Sequence, residues 1–186
     1  MTVVVSMLRA VNLTTRNRVK MEALRALYLS LGLVDAETCV QSGNVVFRAQ
    51  GRDLGRITRR IEKGIEQNFG FRTSVIVRTL TELRDIIGRN PFASRPHIDP
   101  SKLLVTFLSS APEVKARDKV LQMMVEPEEL RIDGREIYTY FPNGMARPKV
   151  SMALIEKTLA TPGTGRNWNT VGKLLAIAEK LEGVVG

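Results

Sequence analysis

The sequence predicts an α+β protein of two similar half-units, and three observations carry that reading. Short apolar runs rich in β-branched residues alternate with longer stretches whose apolar residues recur at helical spacing. Two glycine turns, Ser42-Gly43 and Asp133-Gly134, each separate a pair of strand-like runs. The order of elements in the first half of the chain then nearly recurs in the second.

Taken in order, Val3 to Val11 reads as a first strand buried on both faces, and the polar loop Asn12 to Val19 follows it. Met21, Leu24, Leu27, Tyr28 and Leu31 share one helical face, with Gly32 placed to end the element. Glu37 to Gln41 and Asn44 to Ala49 flank Ser42-Gly43 as strands two and three. Leu54, Ile57, Ile61, Ile65 and Phe69 form the stripe of a second helix, leaving Arg56, Arg59, Arg60 and Lys63 outside. Thr73 to Val77 is the fourth strand. This βαββαβ order is the ferredoxin-like split βαβ arrangement, an antiparallel sheet with two helices on one face.

A linking helix follows, opened by Thr79 and Glu82 at capping-box spacing and stopped near Gly88. Lys102 to Leu108 is a strand, and Ser110, Pro112 and Glu113 open a helix to about Met124, again with capping-box spacing. Glu129 to Ile132 and Glu136 to Phe141 flank Asp133-Gly134, and a helix spans Ser151 to Leu159. The last segment, with Val171, Leu174, Leu175, Ala178 and Leu181, is helical where a fourth strand is due. The second ferredoxin-like unit is therefore expected to be incomplete or modified. The proline-rich stretch Asn90 to Ser101 makes the best boundary, giving residues 1–89 as the first unit with its linking helix and 90–186 as the second with the C-terminal helix.

Composition narrows the function classes. With 186 residues, 44% hydrophobic and 25% charged, the chain suits a water-soluble globule, and no apolar run approaches the roughly 20 residues a membrane helix needs. Met1 to Leu13 lacks the basic region, long apolar stretch and cleavage site of a secretory signal, so a cytoplasmic protein is expected. The single cysteine, Cys39, excludes an internal disulfide framework and a cysteine zinc cluster, and the single histidine, His97, sits in a loop without partners in sequence. No metal site or cofactor is expected. Formal charge is +9 and the isoelectric point about 10.1, which favours anionic partners without choosing among nucleic acid, nucleotides and acidic metabolites. Arg9, Arg16, Arg18 and Lys20 fall in a stretch free of acids, and a second basic cluster, Arg48 to Lys63 with six basic residues against Asp53 and Glu62, reads foremost as the solvated face of a helix.

Three polar segments are not explained by packing: Arg9 to Lys20, Gln41 to Asn44, and Arg166 to Thr170. In a split βαβ unit the loop after strand one and the hairpin between strands two and three emerge at one end of the sheet. Arg9, Asn12, Arg16 and Lys20 are thus expected near Gln41, Ser42 and Asn44. The bland alternative makes Asn12 a turn residue and Gln41 to Asn44 simple hairpin chemistry. Arg166-Asn167-Trp168-Asn169-Thr170 precedes the last helix, where Asn167 or Asn169 suits an N-cap and Trp168 a staple. Read for function, the same residues form an anion site, with Trp168 stacking on a ring and the site meeting the first two segments in one cleft.

Four stretches, Leu8-Arg9-Ala10-Val11-Asn12, Asn17-Arg18-Val19-Lys20-Met21, Gln41-Ser42-Gly43-Asn44-Val45-Val46-Phe47 and Arg166-Asn167-Trp168-Asn169-Thr170-Val171, resemble a widespread bacterial family of unknown function, number 1697. The likeness extends over nearly the whole chain, including Asn90-Pro91-Phe92 and Glu156-Lys157. It implies two ferredoxin-like units and brings no activity, cofactor or catalytic residue. The family's pattern after strand one resembles Arg-Gly-Ile-Asn-Val-Gly-Gly, whereas Ala10, Thr14 and Thr15 stand at its glycines here, which argues against a flexible phosphate cradle.

A Walker A motif, a dinucleotide-binding glycine fingerprint and a nucleophile elbow are all missing from the sequence. RNA reading on the sheet face needs aromatics on the central strands, and only Phe47 qualifies. The leading expectation is a small anionic or nucleotide-like ligand held by Arg9, Lys20 and the Gln41 to Asn44 turn. Nucleic-acid binding through the basic loop and helix face is the second, and an enzyme using the same cleft is the third. Oligomeric state is open.

Overall fold

Strand β1 (Thr2–Leu8) contains three consecutive valines that favour extended backbone, and it becomes the pairing centre of the first sheet in a computed structural model. The structure describes residues 1–183 except Thr14, Arg16, Arg52 and Val150. After β1 come α1 (Met21–Ser30), β2 (Val34–Cys39), β3 (Asn44–Ala49), α2 (Leu54–Phe69) and β4 (Val75–Thr79). The strands lie in the order β2-β3-β1-β4, every neighbouring pair antiparallel. That is the split βαβ arrangement the sequence predicts.

The pleat sorts the residues of β1 and β3 between two faces. Val4, Leu8, Val45 and Phe47 join Leu24, Leu27, Tyr28, Ile57, Ile61 and Ile65 in the core under α1 and α2. Ser6 shares this face and is fully buried, donating to the Val45 carbonyl at 3.1 Å. Its one proton is thereby used, so the Tyr28 hydroxyl donates to Ser6 Oγ at 2.9 Å, and burial pushes the Tyr28 hydroxyl pKa up. Helix α2 is held at both ends: Asp53 Oδ1 accepts the Arg56 N–H at 2.8 Å, and Gly70, at φ +75°, closes it. In β2 the ladder to β3 is irregular between Val34 and Glu37, where Asp35 takes φ +53° and pairs with Arg48.

Helix α3 (Leu80–Gly88) opens with the capping box read from the sequence. The Thr79 N–H donates to Glu82 Oε2 at 2.7 Å, and the Glu82 N–H to Thr79 Oγ1 at 3.1 Å.

The second unit runs β5 (Leu103–Leu108), α4 (Val114–Gln122), β6 (Glu129–Asp133), β7 (Glu136–Tyr140), α5 (Met152–Leu159) and β8 (Gly163–Asn167), with strand order β6-β7-β5-β8. It is complete, contrary to the expectation of a missing or modified fourth strand. Strand β8 is Gly-Thr-Gly-Arg-Asn, which lacks alternating apolar residues, yet it pairs with β5 over five positions. A Cβ on Gly163 would sit 2.9 Å from Thr106 Cγ2 and 3.0 Å from Leu108 Cδ2, so its glycine permits the close approach. Leu108, Val120, Leu130, Ile137, Ile155 and Leu159 make the core under α4 and α5.

Two further details differ from the sequence reading. Helix α4 starts at Val114, and Ser110 is drawn instead to Thr161, their hydroxyls 3.0 Å apart, because the residue before Pro112 is held extended. At the second hairpin the turn residues are Gly134 and Arg135, since Asp133 already pairs with Glu136.

Helix α6 (Trp168–Gly183) ends the described chain. By contacts, one compact unit comprises residues 1–85 with 172–186, and the other residues 86–171. The sequence reading drew the boundary at 89/90 and counted the whole last helix with the second unit. Within the first unit, Lys180 Nζ lies 3.5 Å from Glu37 Oε1, and Arg84 of α3 bonds Glu179 at 3.1 Å and Glu182 at 2.8 Å. Glu37 pairs with Val46, whose side chain faces away from α1 and α2, so α6 lies on the sheet's second face. Val5, Met7 and Val46 on that face are buried.

Candidate functional site

The first two polar segments meet as the topology requires. Leu8 N donates to Gly43 O at 3.0 Å, closing the end of β1 onto the β2–β3 hairpin. That hairpin is longer than the two residues expected: Cys39 pairs with Asn44, and residues 40–43 form the loop, with Val40 at φ +52° and Gly43 at φ +71°. A Cβ on Gly43 would stand 2.9 Å from Leu8 Cβ, so both conformation and space require glycine.

Asn12, at φ +60°, is the clamp of this region. Its Nδ2 donates to Gln41 O at 2.9 Å and Val19 O at 3.1 Å, and its Oδ1 accepts the Val19 N–H at 2.9 Å. Asn44 is fully buried and donates to Cys39 O at 3.1 Å and Ser42 Oγ at 2.8 Å. These amides hold the loops in place. Lys20 and Gln41 are exposed and Ser42 is half-buried. Arg16 lies outside the described residues.

Beside this scaffold opens a pocket of about 550 Å³, and of the sequence-predicted residues Arg9 lines it. The Arg9 backbone is fixed by its N–H donating to Ser74 O at 3.0 Å and by Thr73 Oγ1 donating to its carbonyl at 2.6 Å. Exposed Arg59 and Lys63 enter from α2, and Arg72 from the segment before β4. Two acids share the lining. Glu62 Oε1 accepts the Val75 N–H at 2.9 Å, and Glu66 Oε1 accepts from Arg72 Nε at 2.6 Å. Among the described lining residues, four cations against two carboxylates leave a net charge of +2.

The sequence reading missed Arg72, Thr73, Ser74 and Asn17 as lining residues, and took Arg59 and Lys63 for a nucleic-acid or solvated face. The missing signal was the β1–β4 pairing, which sets Leu8 opposite Val75 and so puts residues 72–74 beside Arg9.

The third segment belongs to the second unit. Arg166 is buried, its Nη1 donating to Thr164 Oγ1 at 2.7 Å and Gly165 O at 2.9 Å. Burial pulls the guanidinium down to about 10, which still leaves it charged at neutral pH. Asn167 is the cap: its Oδ1 accepts the Asn169 N–H at 3.0 Å while its Nδ2 donates to Ser101 O at 2.7 Å. Trp168 is half-buried and Asn169 exposed.

Two other readings find their setting. Phe47 turns into the helix-side core, 5.3 Å from Tyr28 in an edge-to-face pair, and is not available to stack a base. Cys39 is buried, which pushes its thiol pKa up while Lys173 pulls the other way. Among the described residues no three His, Cys, Asp or Glu side chains gather to hold a metal ion.

Element order and strand order define the chain as an α+β protein of two split βαβ units, the first bearing a basic pocket at the end of its central strand. Comparison with known proteins places it further: residues 1–138 match the family described as "Protein of unknown function (DUF1697)", and the chain belongs to that family. Among solved structures, a conserved bacterial protein from Streptococcus pneumoniae, SP0830, is similar at a TM-score of 0.72 and 21% identity, over 95% of this chain and 98% of that one. At that identity the likeness speaks to the fold. No curated protein matches the sequence.

Proposed function

We propose that the first unit binds a small anionic ligand in the pocket beside Arg9. One observation carries the reading: four cations from three separate segments converge on an opening whose two carboxylates already accept from Arg72 and the Val75 N–H. An excess of cations over carboxylates raises the local potential and draws in an anion. The volume of about 550 Å³ is that of a small-molecule site. Lys20, Gln41 and the Arg166 to Asn169 segment, also expected to bind, do not line this pocket. A cytoplasmic location belongs to the same proposal, alongside the finding that no described helix is long and apolar enough to cross a membrane.

Nucleic-acid binding is the second reading, supported by the exposed Arg56, Arg59 and Lys63 on successive turns of α2. Inorganic phosphate titrated in a thermal-shift assay separates the two. Expected is a saturable rise in melting temperature that Arg9→Ala and Lys63→Ala each abolish without lowering the ligand-free melting point by more than a degree or two. A flat phosphate response, with single-stranded oligonucleotide binding that collapses between about 50 and 200 mM salt, transfers the function to the helix face.

A further inference from the structure

We infer that this pocket selects a compact ligand carrying two or more anionic groups, of the diphosphate or multiply phosphorylated class, and that it does not read a nucleobase. The inference rests on the anion-site reading above and deepens it.

Charge placement gives the first half. Arg59 and Lys63 stand four residues apart on α2, about 6 Å along the axis, where like charges repel. Arg9 approaches from the end of β1 and Arg72 from the segment before β4, so the positive charge is spread around the opening. A single monovalent group placed against Arg59 or Lys63 leaves the like-charge repulsion between the two only partly offset. A ligand with separated anionic groups engages both at once, and each further charge adds attraction.

The lining gives the second half. Among the described residues, Ala10 is the only apolar one in it, and no aromatic ring is present. Base recognition draws its energy from stacking on aromatic faces, supplemented by hydrogen bonds to base edges. Phe69 and Phe71, the aromatics next in sequence, stack on each other at 6.5 Å and lie outside the lining. Whatever a nucleotide gains here it gains through its phosphates.

Isothermal titration of the full chain at fixed ionic strength tests this with inorganic phosphate, pyrophosphate, adenosine and ADP. Expected is pyrophosphate at least about tenfold tighter than phosphate, ADP within about threefold of pyrophosphate, and no heat from adenosine. The double variant Arg59→Gln/Lys63→Gln, checked for folding by circular dichroism, should bring pyrophosphate within about threefold of phosphate. Adenosine binding, ADP more than threefold tighter than pyrophosphate, or equal affinity for phosphate and pyrophosphate overturns the inference while leaving the anion site standing. Silence from both phosphate and pyrophosphate is a different result and removes the site itself.

Discussion

Replacing Asn12 separates its two roles, because the side chain makes three hydrogen bonds while the backbone sits at φ +60°. Two of the bonds, to Val19, are partly buried, and the third, to Gln41 O, is exposed. At about 0.5–1.5 kcal/mol net each, with the exposed one at the low end, Asn12→Ala forfeits about 1.5–3.5 kcal/mol. Alanine also bears the left-handed backbone less well, which adds about 1 kcal/mol and brings the total to about 2.5–4.5 kcal/mol. Asn12→Gly loses the same bonds and relieves the strain, but it also loosens the unfolded chain. It should therefore fall about 0.5–1 kcal/mol short of the alanine loss. Urea unfolding followed by far-UV circular dichroism gives both values, read on the transition that reports the first unit if the two units melt apart. If both variants lie within about 0.5 kcal/mol of the parent protein, Asn12 is no clamp, and the side chain returns to the ligand candidates.

Ile61 has no exposed surface, so Ile61→Ala should cost about 2–4 kcal/mol, whereas Arg59→Ala on the exposed face should stay within about 0.5 kcal/mol; chemical denaturation compares them. Gly43→Ala meets both positive φ and the Leu8 Cβ at 2.9 Å, while Gly32→Ala meets positive φ in open space, so the first should lower the melting temperature clearly more. Arg95 holds Glu129 in a two-bonded pair at 2.6 and 2.7 Å and keeps its carboxyl below the usual range. The folded pKa lies under the unfolded one, so the pair's contribution is full above about pH 5.5 and is lost as pH falls through the depressed folded value. A double-mutant cycle should read a small stabilising coupling at pH 7 that disappears in acid as Glu129 takes up its proton.

Elements whose local chemistry and tertiary setting agree were legible in the sequence. The α2 stripe from Leu54 to Phe69 appears with the bounds its periodicity predicts, and Thr79 with Glu82 forms the capping box their spacing announces. Strand β8 was not legible because nothing in Gly-Thr-Gly-Arg-Asn favours extension by itself. The vacant edge of β5 and the room left by Gly163 decide it. Ser110 and Glu113 show the converse, a correct local signal overruled by Thr161, which lies 51 residues away in sequence. At the site, pattern reading found Arg9 and the meeting of its loop with the hairpin. It could not tell that the amides of Asn12 and Asn44 are engaged internally, nor that Arg72 closes the pocket, because both facts depend on pairing across the sheet.

Helix α6 sets the order in which the molecule is finished during synthesis. Once Val171 has emerged from the ribosome, every strand of both sheets and all of residues 86–171 are available, yet the first unit still lacks the residues from Gly172 that reach Glu37 and Arg84. The unit translated first is thus completed last. A chain truncated after Val171 would never complete the first unit, leaving Val5, Met7 and Val46 without α6 and open to association with other chains.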